Sequence, residues 1–124
     1  EVSMTTRILS YILAFIFFAS GAAKLLSLPF ELEAFARWGY PVEFMYFIGV
    51  AECLGAIGLL IPRLSSCAAL CLTALMLGAV ATHLMHKEWP MLAVASAITL
   101  AACWRAWAGR SEIRQLLTVL LAKN

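Results

Sequence analysis

Glu52 sits near the middle of an apolar run from Phe44 to Ile61, where a charge at a bilayer centre costs about 2.5–3.5 kcal/mol. It must therefore face a bundle interior, a cavity or a partner, and it is the chain's strongest pointer to function. Lys24 is its candidate partner. If the first apolar run crosses outward, Lys24 leans back into the membrane, and Glu52, on a helix running inward, leans outward, because helical side chains tilt toward the N-terminus. At 1.5 Å per residue Lys24 lies about 6 Å and Glu52 about 16 Å below the same surface, a gap two side chains or a water can bridge. His83 leans toward that level, and Ser20 stands one turn from Lys24. Glu52, Lys24, His83 and Ser20 thus form a candidate polar cluster suited to the head group of an otherwise apolar ligand. Two plainer readings stay open: Lys24 snorkelling to the interface, and Glu52 as a neutral, hydrogen-bonded structural acid.

Other reactive side chains suggest less chemistry. Cys53, Cys67, Cys71 and Cys103 contain no C-x-x-C, so a disulfide-generating centre is not indicated, and buried inert thiols are expected. His83 and His86 stand three apart with Glu88 nearby, but two histidines do not make a site, and no metal is expected. No phosphate-binding glycine loop or nucleophile elbow is present, so no catalytic centre is visible and an enzyme is not the favoured reading.

The elements that position these residues follow from composition. Of 124 residues 64% are hydrophobic, against nine basic and seven acidic, with no Asp. That is too little polar surface for a soluble domain this small. Four apolar runs, 8–28, 42–61, 64–85 and 90–108, approach the roughly 20 residues needed to span a bilayer. Arg105 interrupts the fourth and is expected to snorkel to the interface. The chain is therefore expected to be all-α: an integral membrane antiparallel four-helix bundle, one transmembrane domain over 1–124. The first run is expected to stay as an uncleaved span, with Met4 as the natural start after Glu1, Val2 and Ser3.

Arg7, Arg63, Arg105, Arg110, Arg114 and Lys123 fall at one end of such a bundle, and Lys24, Arg37 and Lys87 at the other. That bias predicts both termini in the cytoplasm, in a bacterial-type inner membrane. The charge reads as topology, so no nucleic-acid partner is inferred. Between the first two spans, Pro29, a Ser27 cap and a stop at Gly39 and Pro41 predict a short surface helix with Leu28, Leu32, Phe35 and Trp38 on one side. Ala51 with Gly55, and Ala74, Gly78 and Thr82, mark expected contact faces between the second and third spans. Trp38 and Trp89 at one end, Trp104 and Trp107 at the other, read as interfacial belts. Ile113, Leu116, Leu117 and Leu120 predict an amphipathic C-terminal helix over 111–122, capped by Ser111, lying on the membrane or against a second copy.

These residues carry a resemblance. Ser20-Gly21-Ala22-Ala23-Lys24-Leu25, Gly39-Tyr40-Pro41, the run from Gly49 through Glu52 and Gly55 to Leu60, Pro62-Arg63 and Ala81-Thr82-His83 resemble the DoxX-like family of small four-helix membrane proteins. The chain is also distantly similar to an animal relative that assembles nicotinic acetylcholine receptors. The resemblance implies the four-helix fold and the Lys24 and Glu52 positions. Some relatives are linked to thiosulfate:quinone oxidoreductase or to redox-defence complexes, but no single activity transfers. The expectation is a non-catalytic binding module or accessory subunit with a pocket around Glu52 for a quinone, lipid or similar apolar ligand. The alternative is an assembly or stabilising partner of another membrane protein.

Overall fold

The computed structural model describes residues 3–122; Glu1, Val2 and Lys123, used above, lie outside them. Six helices follow in order: α1 Met4–Leu25, α2 Pro29–Trp38, α3 Val42–Leu60, α4 Ser65–Met85, α5 Trp89–Ala108 and α6 Arg110–Ala122. Among the described residues α1, α3, α4 and α5 are long and apolar enough to cross a membrane. Their outer surfaces are apolar: Phe15 is 75% and Leu100 71% exposed, as a surface that faces lipid requires. The protein is an integral membrane protein, with α2 at one end of the bundle and α6 at the other.

The spans pair closely as α1 with α3 and α4 with α5, and more loosely between the pairs. Leu13, Phe17, Leu59 and Leu72 fill the centre with small residues such as Ala56, Ala69 and Ala102. The α1–α3 seam is the closest approach. A Cβ on Gly21 would stand 2.7 Å from both the Gly49 carbonyl oxygen and Cys53 Sγ, so only glycine lets these backbones meet. Gly55 meets the Leu72 side chain as an α3–α4 contact residue, as the small-residue pattern predicts. Gly78 does not act that way. It and Ala74 are exposed on α4 and border a cavity instead of a helix seam.

Local backbone chemistry moves several expected boundaries. The first span begins at Met4 rather than residue 8, because Ser3 Oγ accepts the Thr6 amide at 3.2 Å and caps the helix. It ends at Leu25 rather than residue 28, because Ser27 turns left-handed at φ 56°. Its N–H then donates to the Lys24 carbonyl and that of Leu28 to Ala23, the two bonds of a Schellman end. Ser27 therefore does not cap α2; Leu28 precedes Pro29 there without a side-chain bond. At the far end Gly39, φ 84°, closes α2 in the same way, with Tyr40 N–H on the Phe35 carbonyl. Only Phe35 of the expected apolar face is buried; Leu28 and Leu32 are exposed. Ser111 lies inside α6 rather than capping it.

Two expectations about burial are corrected. Arg105 does not snorkel: it is 1% exposed and among the largest fully buried side chains. Cys71 and Cys103 are not buried thiols but lie on the exposed surface, while Cys53 and Cys67 are half-buried. Trp89, Trp104 and Trp107 are exposed as an interfacial belt requires, whereas Trp38 is half-buried and engaged in hydrogen bonds.

Candidate functional site

The Gly21–Gly49 contact fixes the register of α1 against α3, and with it Ser20 and Lys24 against Glu52. Lys24 Nζ stands 3.1 Å from Glu52 Oε1. Lys24 also donates to Ser20 Oγ at 2.8 Å, and Ser20 donates to the same Glu52 oxygen at 3.0 Å. The ammonium has a second acid, Glu31 Oε2 at 3.4 Å, supplied by the first turn of α2. Lys24 and Glu52 are 8% and 6% exposed. Three of the four residues singled out in the sequence thus form one hydrogen-bonded unit. Glu31 was missed as a member because it falls in the connector, although its position seven residues after Lys24 was readable.

His83 belongs to a neighbouring group. A third Schellman end, with Lys87 at φ 56°, brings the Glu88 amide onto the His83 carbonyl. The turn places the Glu88 side chain beside the same histidine, Nδ1 to Oε1 at 2.8 Å. Trp38 Nε1 donates to Glu88 at 3.2 Å, and Arg37 reaches its Oε2 at 3.1 Å. Glu88 therefore ties α2 to the α4–α5 turn. Tyr40 OH lies 3.0 Å from Thr82 Oγ1, whose proton goes to the Gly78 carbonyl, so the tyrosine donates. His86 turns back to the Thr82 carbonyl. Among the described residues no three His, Cys, Asp or Glu side chains gather as a metal-ion site. Glu88 lies outside the spans. The His83 hydrogen bond does most to lower its carboxyl, with Trp38 and Arg37 adding to it against partial burial, to about 2.

Both groups face a cavity of about 800 Å³ between the two helix pairs, beneath α2. Ser20, Lys24, Glu52 and His83 all line it, and most of its wall is apolar, with Phe17, Leu75 and Ile98 among the lining residues.

A second buried polar group closes the α6 end. Arg105 donates through Nε to Ser10 Oγ and through Nη1 to Ser66 Oγ at 2.8 Å. Its Nη2 is 3.7 Å from Glu112 Oε1 in the first turn of α6, an oxygen that also accepts the Ser66 amide at 3.2 Å. Glu112 thus serves the buried guanidinium and an open donor at the start of α4. The sequence signal was again an acid seven positions after a basic residue near the end of a span.

A four-span membrane bundle with buried acid–base pairs and an intramembrane polar pocket is the class these features define. Residues 8–106 match the DoxX-like family, and the chain belongs to it. No curated protein and no solved structure matches the chain.

Two expectations follow. Lys24→Met leaves Glu52 and Glu31 without their shared cation, at a cost on the order of 3–5 kcal/mol, whereas Glu52→Gln leaves Lys24 paired with Glu31 and costs less; the double variant is expected to lose clearly less than the sum. Thermal unfolding in mild detergent measures this, with Arg105→Met and Glu112→Gln as a parallel cycle of the same sign; additive losses would show that the pairs do not act as units. The second expectation concerns pH. Because the folded carboxyl of Glu88 is depressed, the stability it contributes is fully present above about pH 5 and is lost as pH falls toward about 2. Relative to Glu88→Gln, the wild-type advantage in melting temperature should be constant from neutral to mildly acid pH and shrink below that. An advantage that grows on acidification contradicts the assignment.

Proposed function

We propose that this DoxX-like protein is a non-catalytic binding module or accessory subunit. It holds an apolar molecule with a polar head, of the quinone or lipid type, in the cavity beside Glu52. The observation that carries the reading is that cavity: about 800 Å³, within the range of roughly 300–1,000 Å³ typical of small-molecule sites. Sparse polar groups gathered at one end of an apolar space suit a ligand whose body needs only volume and whose head needs hydrogen bonds. The second reading, a stabilising partner of another membrane protein, draws support from the exposed Leu117 and Leu121 on α6. A cavity touching Glu52 favours the binding reading over a filled bundle that works only through its surface. Homo-oligomers fit either reading.

We also propose that both termini face the cytoplasm. With Lys24 and Arg105 buried in pairs, the exposed basic residues at the α6 end, Arg7, Arg63, Arg110 and Arg114, outnumber Arg37 and Lys87 at the other. Membrane-impermeant thiol labelling of single cysteines at Thr5 and at Glu33, in a cysteine-free background, checks this. Reaction at residue 33 but not 5 in intact cells is expected, and the reverse overturns it.

For the ligand, native mass spectrometry of protein extracted in mild detergent should show a bound small molecule. Gly78→Phe should lose it, because the space beside that glycine is open and the new ring fills the cavity border. A protein partner retained in place of any small molecule would support the second reading.

A further inference from the structure

The charge and ring content of the cavity wall select among apolar ligands. Among the described residues that line it, four carboxylates, Glu31, Glu33, Glu52 and Glu88, face two fixed cations, Lys24 and Arg37. The carboxylates thus outnumber the fixed cations by two. Lys24 is shared between Glu31 and Glu52, so one ammonium serves two acids. Arg37 is committed to Glu88. Glu33, exposed on α2, has no ion pair among the described residues. A focused negative potential in a low-dielectric cleft raises the local concentration of cations and repels anions.

The same wall is rich in aromatic rings. Phe35, Trp38, Tyr40 and Phe44 form a continuous set, with Phe35–Trp38 centroids 5.1 Å and Tyr40–Phe44 centroids 5.4 Å apart, and Phe47 extends it from Phe44 at 6.5 Å. All five border the cavity. Ring faces attract desolvated cations, and alkylammonium groups are bound in such surroundings. An anionic head would meet acids it cannot neutralise, since both fixed cations are already engaged. A neutral quinone would use the volume and leave the charge excess unanswered.

We infer that the cavity takes a lipophilic cation: an apolar body carrying an amine, a quaternary ammonium or an equivalent delocalised positive charge. The head sits near Glu31 and Glu33 against the α2 rings, and the body extends between the helix pairs toward Leu75 and Ile98. The inference rests on the binding reading above and narrows its ligand class. It requires no bond making or electron transfer.

The test uses the full chain in nanodiscs of zwitterionic lipid, with Trp89, Trp104 and Trp107 replaced by Phe so that Trp38 reports on the cavity. Probes are tetraphenylphosphonium, its anionic counterpart tetraphenylborate, and neutral decylubiquinone, each corrected for partitioning with a control that keeps Trp104, at the lipid-facing surface, as its one tryptophan. Tetraphenylphosphonium is expected to change Trp38 emission saturably, and to bind at least roughly ten-fold tighter than tetraphenylborate. Glu33→Gln, an exposed position whose loss leaves the buried pairs intact, should weaken the cation several-fold while leaving any decylubiquinone binding unchanged. Saturable quinone binding with no preference for the cation over the anion overturns the cation inference and leaves the binding reading standing. No saturable signal from any probe, in protein whose melting temperature is unchanged, overturns both.

Discussion

A basic side chain inside an apolar bundle is tolerable only if an acid meets it there, and the architecture is built around meeting that requirement twice. Lys24 stands in the last turn of α1, and Arg105 in the last turn of α5. Each receives a carboxylate from the first turn of the short helix that follows, Glu31 from α2 and Glu112 from α6. In both cases the acid is seven positions further along. The device appears once at each end of the bundle. It explains why two helices too short to span are fixed to the bundle by their charge: α6 has no buried residue at all, yet its glutamate reaches the interior.

The two ends differ in what else they hold. At the α6 end Arg105 is packed against Ser10 and Ser66, with a Cβ on Gly109 blocked by Ser66 and Arg105 themselves. At the α2 end the seam at Gly21 and Gly49 draws α1 onto α3, α4 pairs with α5, and the space between the pairs is roofed by α2 instead of filled. Glu88 joins that roof to the α4–α5 turn through Trp38 and Arg37. The same charge-matching rule thus serves a packed guanidinium at one end and a lined, half-open cleft at the other.

Much of this was legible in the sequence. Run length and charge placement gave four spans and two short helices, because hydrophobic thickness dictates both. The Lys24–Glu52 pairing followed from helix direction and rise, which hold for any straight helix. What escaped was what depends on tertiary neighbours. Arg105 near a helix end reads as a snorkelling residue until Ser10 and Ser66, far away in sequence, are seen to receive its protons. Gly78 reads as a packing glycine by spacing, but spacing cannot say whether a partner helix or a void lies opposite. In the sequence Glu88 stands out only as an acid near His83 and His86. Its place beneath Trp38 depends on a left-handed residue at Lys87, a conformation that side-chain type does not announce.

The seven-residue spacing also bears on biogenesis. A membrane chain is made and inserted from its N-terminus, so a basic residue in a span enters the insertion machinery before its later partners exist. Glu52 reaches Lys24 only after the whole of α2 and half of α3 have been made, and Ser66 and Ser10 wait for Arg105 from far upstream. Glu31 and Glu112, by contrast, emerge almost with the cations they serve, from the stretch of chain still at the membrane surface. The spacing would let each short helix supply an early counter-ion, available to the charge while the span settles and before the bundle can close around it.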